Sequence, residues 1–188
     1  MSSKMLEIRW HGRGGQGVVL ASRFLASSAI RENLYFQAFP FFGPERLGAP
    51  VVAFTRISNE PINLHCAIEE PDVVVVLDPS LLGVVKVTQN LKTGGTSIVN
   101  HTGIPQELKN GTQRRVFAVD ADRISREELG RVMPNTPMAG ALVKVTGLIS
   151  LESVLSEFEE QFSQRFKPEL IRQNLNAIRR AYEEVREA

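Results

Sequence analysis

The sequence predicts an α/β fold with a mostly parallel sheet, and three observations carry that prediction. The first is a strand–turn–helix opening. The apolar run "LEIRW" leads into "HGRGGQG", where four glycines fall within six positions, and then into the helix-like run "VVLASRFLASSAI". The second is "DVVVVLDPS", residues 72–80, in which five apolar residues stand in a row between two aspartates. A strand buried on both faces reads this way, as strands of covered parallel sheets do. The third is the order of segments: strands alternate with helices, and helices then follow alone. Together they describe a Rossmann-like single domain over residues 1–188, flanked by helices, with a C-terminal helical part over about 134–188. A chain of 188 residues is long enough to bury one sizeable core.

Each element has its own justification. "MLEIRW" is a short strand that runs into the glycines. In "GVVLASRFLASSAIREN", Val18, Leu20, Phe24, Leu25, Ala29 and Ile30 fall mainly along one helical side. Residues 33–50, "NLYFQAFPFFGPERLGAP", mix aromatics, prolines and glycines without clean periodicity and read as an ordered irregular loop. "VVAFTRIS" alternates as a strand. "LLGVVKVTQNL" is expected to be the helix after the buried strand, and "TSIVN" and "RRVFAVDA" repeat the strand pattern. Leu151, Val154, Leu155, Phe158 and Phe162 recur at helical spacing, as do Ile171, Leu175, Ile178, Tyr182 and Val185. Pro168 suits the first turn of the last helix.

Composition excludes several function classes. The net charge of +1 gives no reason to expect nucleic acid or an acidic membrane surface as a partner. No apolar run approaches the ~20 residues of a membrane span. The N-terminal "MSSKMLEIRW" has no apolar core of signal-peptide length, and Cys66 is the only cysteine, so a cytoplasmic, reducing location is expected. An iron–sulfur cluster takes about four thiolates, which this chain does not have. His11, His65 and His101 are scattered without metal-ligand spacing, so no metal site is expected.

Gly12, Gly14 and Gly17 satisfy G-x-G-x-x-G between a strand and a helix. The pattern lets a backbone come close to a phosphate at a helix N-terminus. It is also what a tight turn with no ligand requires. A dinucleotide site needs in addition a strand ending in Asp or Glu about 20 residues on. Here that region is "ENLYFQAFPFFG", and neither Glu32 nor Glu45 ends an apolar strand.

Three segments in order, "RWHGRGGQGVV", "QAFPFFGPERLGAPVVAFTRIS" and "PNTPMAGALVKVTGLISLES", resemble the gamma subunit of the 2-oxoacid:ferredoxin oxidoreductases, the pyruvate and 2-oxoisovalerate branch most closely. The resemblance spans nearly the whole chain. It implies a non-catalytic but required subunit of a complex that turns 2-oxoacid, coenzyme A and oxidised ferredoxin into acyl-CoA, carbon dioxide and reduced ferredoxin. It further implies that alpha, beta and delta subunits are the partners. Thiamine diphosphate, magnesium and the iron–sulfur clusters would sit on those subunits, and this chain would bind no cofactor alone. The gamma chain would pack over the thiamine site and contribute to coenzyme A binding. The sequence lacks a G-D-G…N-N segment of the thiamine type, in keeping with that division of labour.

The residues this assigns to coenzyme A are Gly12, Arg13, Gly14, Gly15, Gln16 and Gly17, with Arg46, Asn135 and Thr136. Each has a plainer role beside it. Arg13 stands solvated or meets an anion, and Gln16 bonds its own loop. Arg46, at a position that is basic in the fused enzymes, meets a phosphate or pairs with Glu45 or Glu69. Asn135 and Thr136 cap a helix running from Pro137. Asp78 and Ser80 are read as the cap of the next helix, and Phe39, Phe41 and Phe42 as core or interface. "ENLYFQA", residues 32–38, matches the recognition sequence of a viral protease used to remove purification tags. Its flanks stay in frame with the family pattern, so it is read as native. The alternative function class is a free-standing nucleotide- or coenzyme A-binding module, or a small dehydrogenase.

Overall fold

The computed structural model describes residues 5–41, 48–109 and 114–188. Arg46, Phe42 and Glu45 lie outside them. One sheet organises the domain, in the order β2-β3-β1-β4-β5-β6-β7. Its strands are β1 Met5–Arg13, β2 Tyr35–Phe41, β3 Pro50–Ser58, β4 Val73–Val76, β5 Thr96–Asn100, β6 Arg115–Val119 and β7 Arg186–Glu187. The central strands β1, β4, β5 and β6 run parallel. β3 is antiparallel to β1, β2 to β3, and β7 to β6, so five of the seven strands point one way.

The helices are α1 Val18–Ser28, α2 Gln106–Lys109, α3 Ala121–Leu129, α4 Asn135–Thr146, α5 Leu151–Phe162 and α6 Pro168–Glu184. All but α2 pack on one face, over a core built from Ile8, Trp10, Val75, Phe24, Leu142 and Phe158. Apolar burial of this kind is the main stabilising term, at roughly 1.5–3 kcal/mol for each fully buried large side chain. The one polar atom of Trp10 is satisfied: its indole N–H donates to Thr55 Oγ1 at 3.1 Å, and that hydroxyl donates to the Ser22 carbonyl at 3.0 Å. α4 and α6 touch through backbone at Gly140, where a Cβ would lie 2.2 Å from the Ile178 carbonyl oxygen.

The opposite face is covered differently. Val74 and Val76 of β4 and Val99 of β5 pack there against Leu81, Val87, Leu91 and Leu108. The segment behind this contact is a 3-10 turn at Pro79–Gly83 followed by irregular turns, where a helix over 81–91 was expected. Gly83 and the β-branched Val84, Val85, Val87 and Thr88 disfavour a helix, and Asn90 at φ 57° breaks the path.

Two more expectations are corrected. The stretch expected to be an irregular loop contains β2, an edge strand. Apolar residues fall on both of its sides, so period-two alternation is hidden, and an edge strand tolerates Pro40. The Gln37–Ala38 bond of the protease-like sequence lies within this paired strand. α4 begins at Asn135 with Pro134 as its N-cap, so Asn135 and Thr136 are helical residues and not caps. Pro137 then falls in the first turn, where the missing N–H has no helical partner to lose. Elsewhere the capping is conventional: Asp120 accepts from Arg123 N–H at α3, Ser150 accepts from Ser153 N–H at α5, and Pro168 opens α6.

Candidate functional site

β1 and β4 are neighbours, and their connections leave on opposite faces. After β1 the chain enters α1 on the helical face; after β4 it enters the Pro79–Gly83 turn on the other. The crevice outside their carboxyl ends is therefore a topological switch point, where ligands of open α/β sheets bind. The Leu77 N–H donates to the His11 carbonyl at 2.8 Å, which brings the glycine loop level with Asp78 and Ser80.

The loop is shaped by backbone geometry. Gly15 stands at φ 95° and Gly17 at φ 77°, both in the region that favours glycine. Gly17 N-caps α1 without a side-chain bond. The Gly14 N–H donates to the Ala49 carbonyl at 3.0 Å, and the Gln16 N–H to that of Arg13 at 3.1 Å. Gly12 is packed inward, since a Cβ there would meet Val18 Cγ2 at 2.5 Å. Beside the loop lies an open trough of about 350 Å³ lined by Arg13, Gly14, Gly15, Val19, Leu20 and Val51. A cavity of about 380 Å³ at the other end of β1 and β4 holds the Lys92–Asp72 pair at 3.0 Å and takes no part in the loop.

Gln16 folds back on the loop. Its Oε1 accepts from the Arg13 N–H at 2.7 Å, and its Nε2 donates to Asp78 Oδ2 at 2.8 Å. Arg13 reaches over the crevice. Its Nε and Nη2 donate to Ser80 Oγ at 3.2 and 2.9 Å, and its Nη1 to the Gly48 carbonyl at 3.0 Å. Its Nε also lies 3.3 Å from Asp78 Oδ2. Asp78 caps the following turn as expected, Oδ1 accepting from the Ser80 N–H at 3.0 Å. Burial pushes its carboxyl up, but hydrogen bonds from Ser80 and Gln16 and the charge of Arg13 outweigh that and hold it below the ordinary aspartate range.

Asn135 joins the site. Its side chain presses on Gly17, with Nδ2 2.6 Å from where a Cβ would stand. Its Oδ1 is buried without a partner among the described residues. Thr136 turns away, donating to Asn174 Oδ1 of α6 at 3.0 Å. The structure thus gathers Arg13, Gly14, Gly15, Gln16, Gly17 and Asn135, leaves Thr136 facing α6, and keeps Gly12 as packing. It adds Asp78 and Ser80, which the sequence marked only as a cap; an acid at the end of a fully apolar strand was the signal.

His11 belongs to the other face. It accepts at Nε2 from Arg9 Nε at 3.1 Å, and burial, with the Arg9 charge, lowers its pKa to about 4. Among the described residues, no helix is long and apolar enough to cross a membrane. No group of His, Cys, Asp and Glu side chains there is placed to hold a metal ion. On one side of β1 the topology departs from that of a dinucleotide site. There stands β3, which runs antiparallel and presents Pro50, its amino end, beside Arg13. The strand next to β1 on that side therefore offers no carboxyl end for a ribose-binding acid, whereas β4 on the other side is followed by Asp78.

A family profile described as "Pyruvate ferredoxin/flavodoxin oxidoreductase" matches residues 7–184. The chain belongs to that family. It is 49% identical over 184 residues to the "Pyruvate/ketoisovalerate oxidoreductases common subunit gamma" of Thermococcus litoralis, covering 96% of this chain and 97% of that one. It is 44% identical over 188 residues to the "Pyruvate synthase subunit PorC" of Thermotoga maritima, covering 99% and 97%. The crystal structure of the pyruvate oxidoreductase subunit PORC from Thermotoga maritima superposes with a TM-score of 0.87 at 43% identity, over 98% of this chain and 99% of that one. The fold also recurs in the 2-oxoglutarate:ferredoxin oxidoreductase of Magnetococcus marinus, solved with 2-oxoglutarate, coenzyme A and succinyl-CoA bound. There the TM-score is 0.78 at 22% identity, and the match spans 96% of this chain but 31% of the longer one. Within the pyruvate ferredoxin/flavodoxin oxidoreductase family this is a gamma-type chain, as its three segments implied.

Proposed function

We propose that this chain works as the gamma subunit of a pyruvate, or related 2-oxoacid, ferredoxin oxidoreductase, packing over the thiamine site of its partner subunits and holding part of coenzyme A. By this reading the isolated chain turns over no 2-oxoacid, and decarboxylation and electron transfer occur on the alpha, beta and delta subunits. The observation that carries the coenzyme A assignment is Arg13. Of its five guanidinium N–H donors, Nε, one on Nη2 and one on Nη1 are taken by described residues, which leaves two. They stand at a switch-point crevice, beside a glycine loop and the first turn of α1, whose N–H groups lack helical partners. A phosphate is the anion that this combination suits, and the apolar trough of Val19, Leu20 and Val51 suits a pantetheine arm.

The test is the coenzyme A dependence of the reconstituted complex carrying Arg13→Ala. Loss of one charge-assisted hydrogen bond, about 1.5–3 kcal/mol, raises the Michaelis constant for coenzyme A roughly tenfold or more. The constant for the 2-oxoacid moves much less. A variant that assembles normally with unaltered coenzyme A dependence removes Arg13 from the coenzyme A site.

A further inference from the structure

Arg13 does not stand free in the crevice; the end of β4 holds it. Ser80 Oγ accepts from Nε and Nη2 together, so it lies along one edge of the guanidinium. Asp78 Oδ2 stands behind the same edge, 3.3 Å from Nε. Asp78 is itself fixed from two sides, by the Ser80 N–H on Oδ1 and by Gln16 Nε2 on Oδ2. The pair therefore forms a seat whose own geometry is set before any ligand arrives. We propose that Asp78 and Ser80 are positioning residues for coenzyme A: they fix the Arg13 guanidinium so that its remaining N–H donors face a phosphate across the crevice.

This inference rests on the assignment of Arg13 to coenzyme A and extends it to two residues of another strand. An arginine on a long flexible stem loses much rotamer freedom when it grips an anion, and a seat formed beforehand removes that loss from the binding step. The negative charge of Asp78 does not defeat the purpose. Its oxygens are engaged by Ser80 and Gln16, and it faces Nε, away from the donors left for the ligand.

The test is a double-mutant cycle in the reconstituted complex, comparing Ser80→Ala, Arg13→Ala and the double variant, with Ser80→Thr as the conservative control. Ser80 is exposed, so its truncation leaves no cavity. Ser80→Ala is expected to raise the Michaelis constant for coenzyme A roughly three- to tenfold. The constant for the 2-oxoacid moves much less, and Ser80→Thr restores the parent value because it keeps the hydroxyl. In the Arg13→Ala background, Ser80→Ala adds nothing, since the group it seats is gone. If Arg13→Ala raises the constant while Ser80→Ala leaves it unchanged, the positioning role is overturned and the Arg13 assignment stands. An equal effect of Ser80→Ala in both backgrounds also overturns the positioning role. If Arg13→Ala itself is silent, the underlying assignment falls and this inference falls with it.

Discussion

Alanine at Gly17 tests how the glycine loop is locked to the helix behind it. Two separate costs meet at this residue. Its φ of 77° and ψ of 25° lie in the left-handed region, where a Cβ costs roughly 1–2 kcal/mol. The same Cβ would stand 2.6 Å from Asn135 Nδ2 and 3.0 Å from its Cγ, and overpacking of this kind costs about 1–3 kcal/mol. Together they remove about 2–5 kcal/mol from a total stability on the order of 5–15 kcal/mol, a fall in melting temperature of roughly 5–15 °C for a domain of this size. The two costs separate in a cycle with Asn135→Ala, which removes the contacts at 2.6 and 3.0 Å and leaves the backbone strain with a milder Cβ–Cβ contact at 3.2 Å. Against that background, Gly17→Ala is expected to cost only about 1–2 kcal/mol. Thermal and urea unfolding of the four chains, followed by circular dichroism, gives the numbers. An equal cost in both backgrounds refutes the contact with Asn135, and a Gly17→Ala chain as stable as its parent refutes both parts of the reasoning.

His11 gives the chain a pH dependence. Its pKa falls from 6.5 to about 4 on folding, so the unfolded chain binds more protons between those values, and stability is full above 6.5 and lost as pH falls toward 4. The loss reaches at most about 3 kcal/mol; urea unfolding at about pH 7 and about pH 5 should show it, and His11→Gln should flatten it, whereas parallel slopes would assign the effect elsewhere. Gly140→Ala should destabilise by about 1–3 kcal/mol or more, because the obstacle is the backbone oxygen of Ile178 and not a movable side chain; melting equal to the parent would contradict the α4–α6 contact. Tyr35, Phe36 and Phe41 of the edge strand β2 are exposed, and an apolar strand edge marks a contact surface. Amide exchange over Tyr35–Phe41 should slow when the chain is assembled into the proposed oxidoreductase complex, and equal exchange in both states would exclude this strand from the interface.

The parts of the fold legible in the sequence are those set by local pattern. The run at 73–77 is buried on both faces, the glycine loop joins β1 to α1, and the periodic positions of α5 and α6 face the core. β2 escaped because an edge strand carries apolar residues on both sides and admits Pro40. The segment after β4 escaped because apolar content without helix-forming residues still covers a sheet face, as Leu81, Val87 and Leu91 do. The site was half legible. Gln16 bonding its own loop follows from residues three apart, but the seat of Arg13 joins residues 67 apart and exists only because β1 and β4 lie side by side. Asn135 reaches Gly17 through the docking of α4 on α1, which no local spacing records.

The glycine loop of this gamma-type chain is proposed to meet coenzyme A through Arg13. The most direct measurement is a structure of the assembled oxidoreductase with coenzyme A bound. A coenzyme A phosphate is expected in hydrogen-bonding contact with Arg13 Nη1 or Nη2, with Asp78 and Ser80 still behind the guanidinium. Coenzyme A bound elsewhere in the complex, with Arg13 still turned only to Ser80, Asp78 and the Gly48 carbonyl, would contradict it.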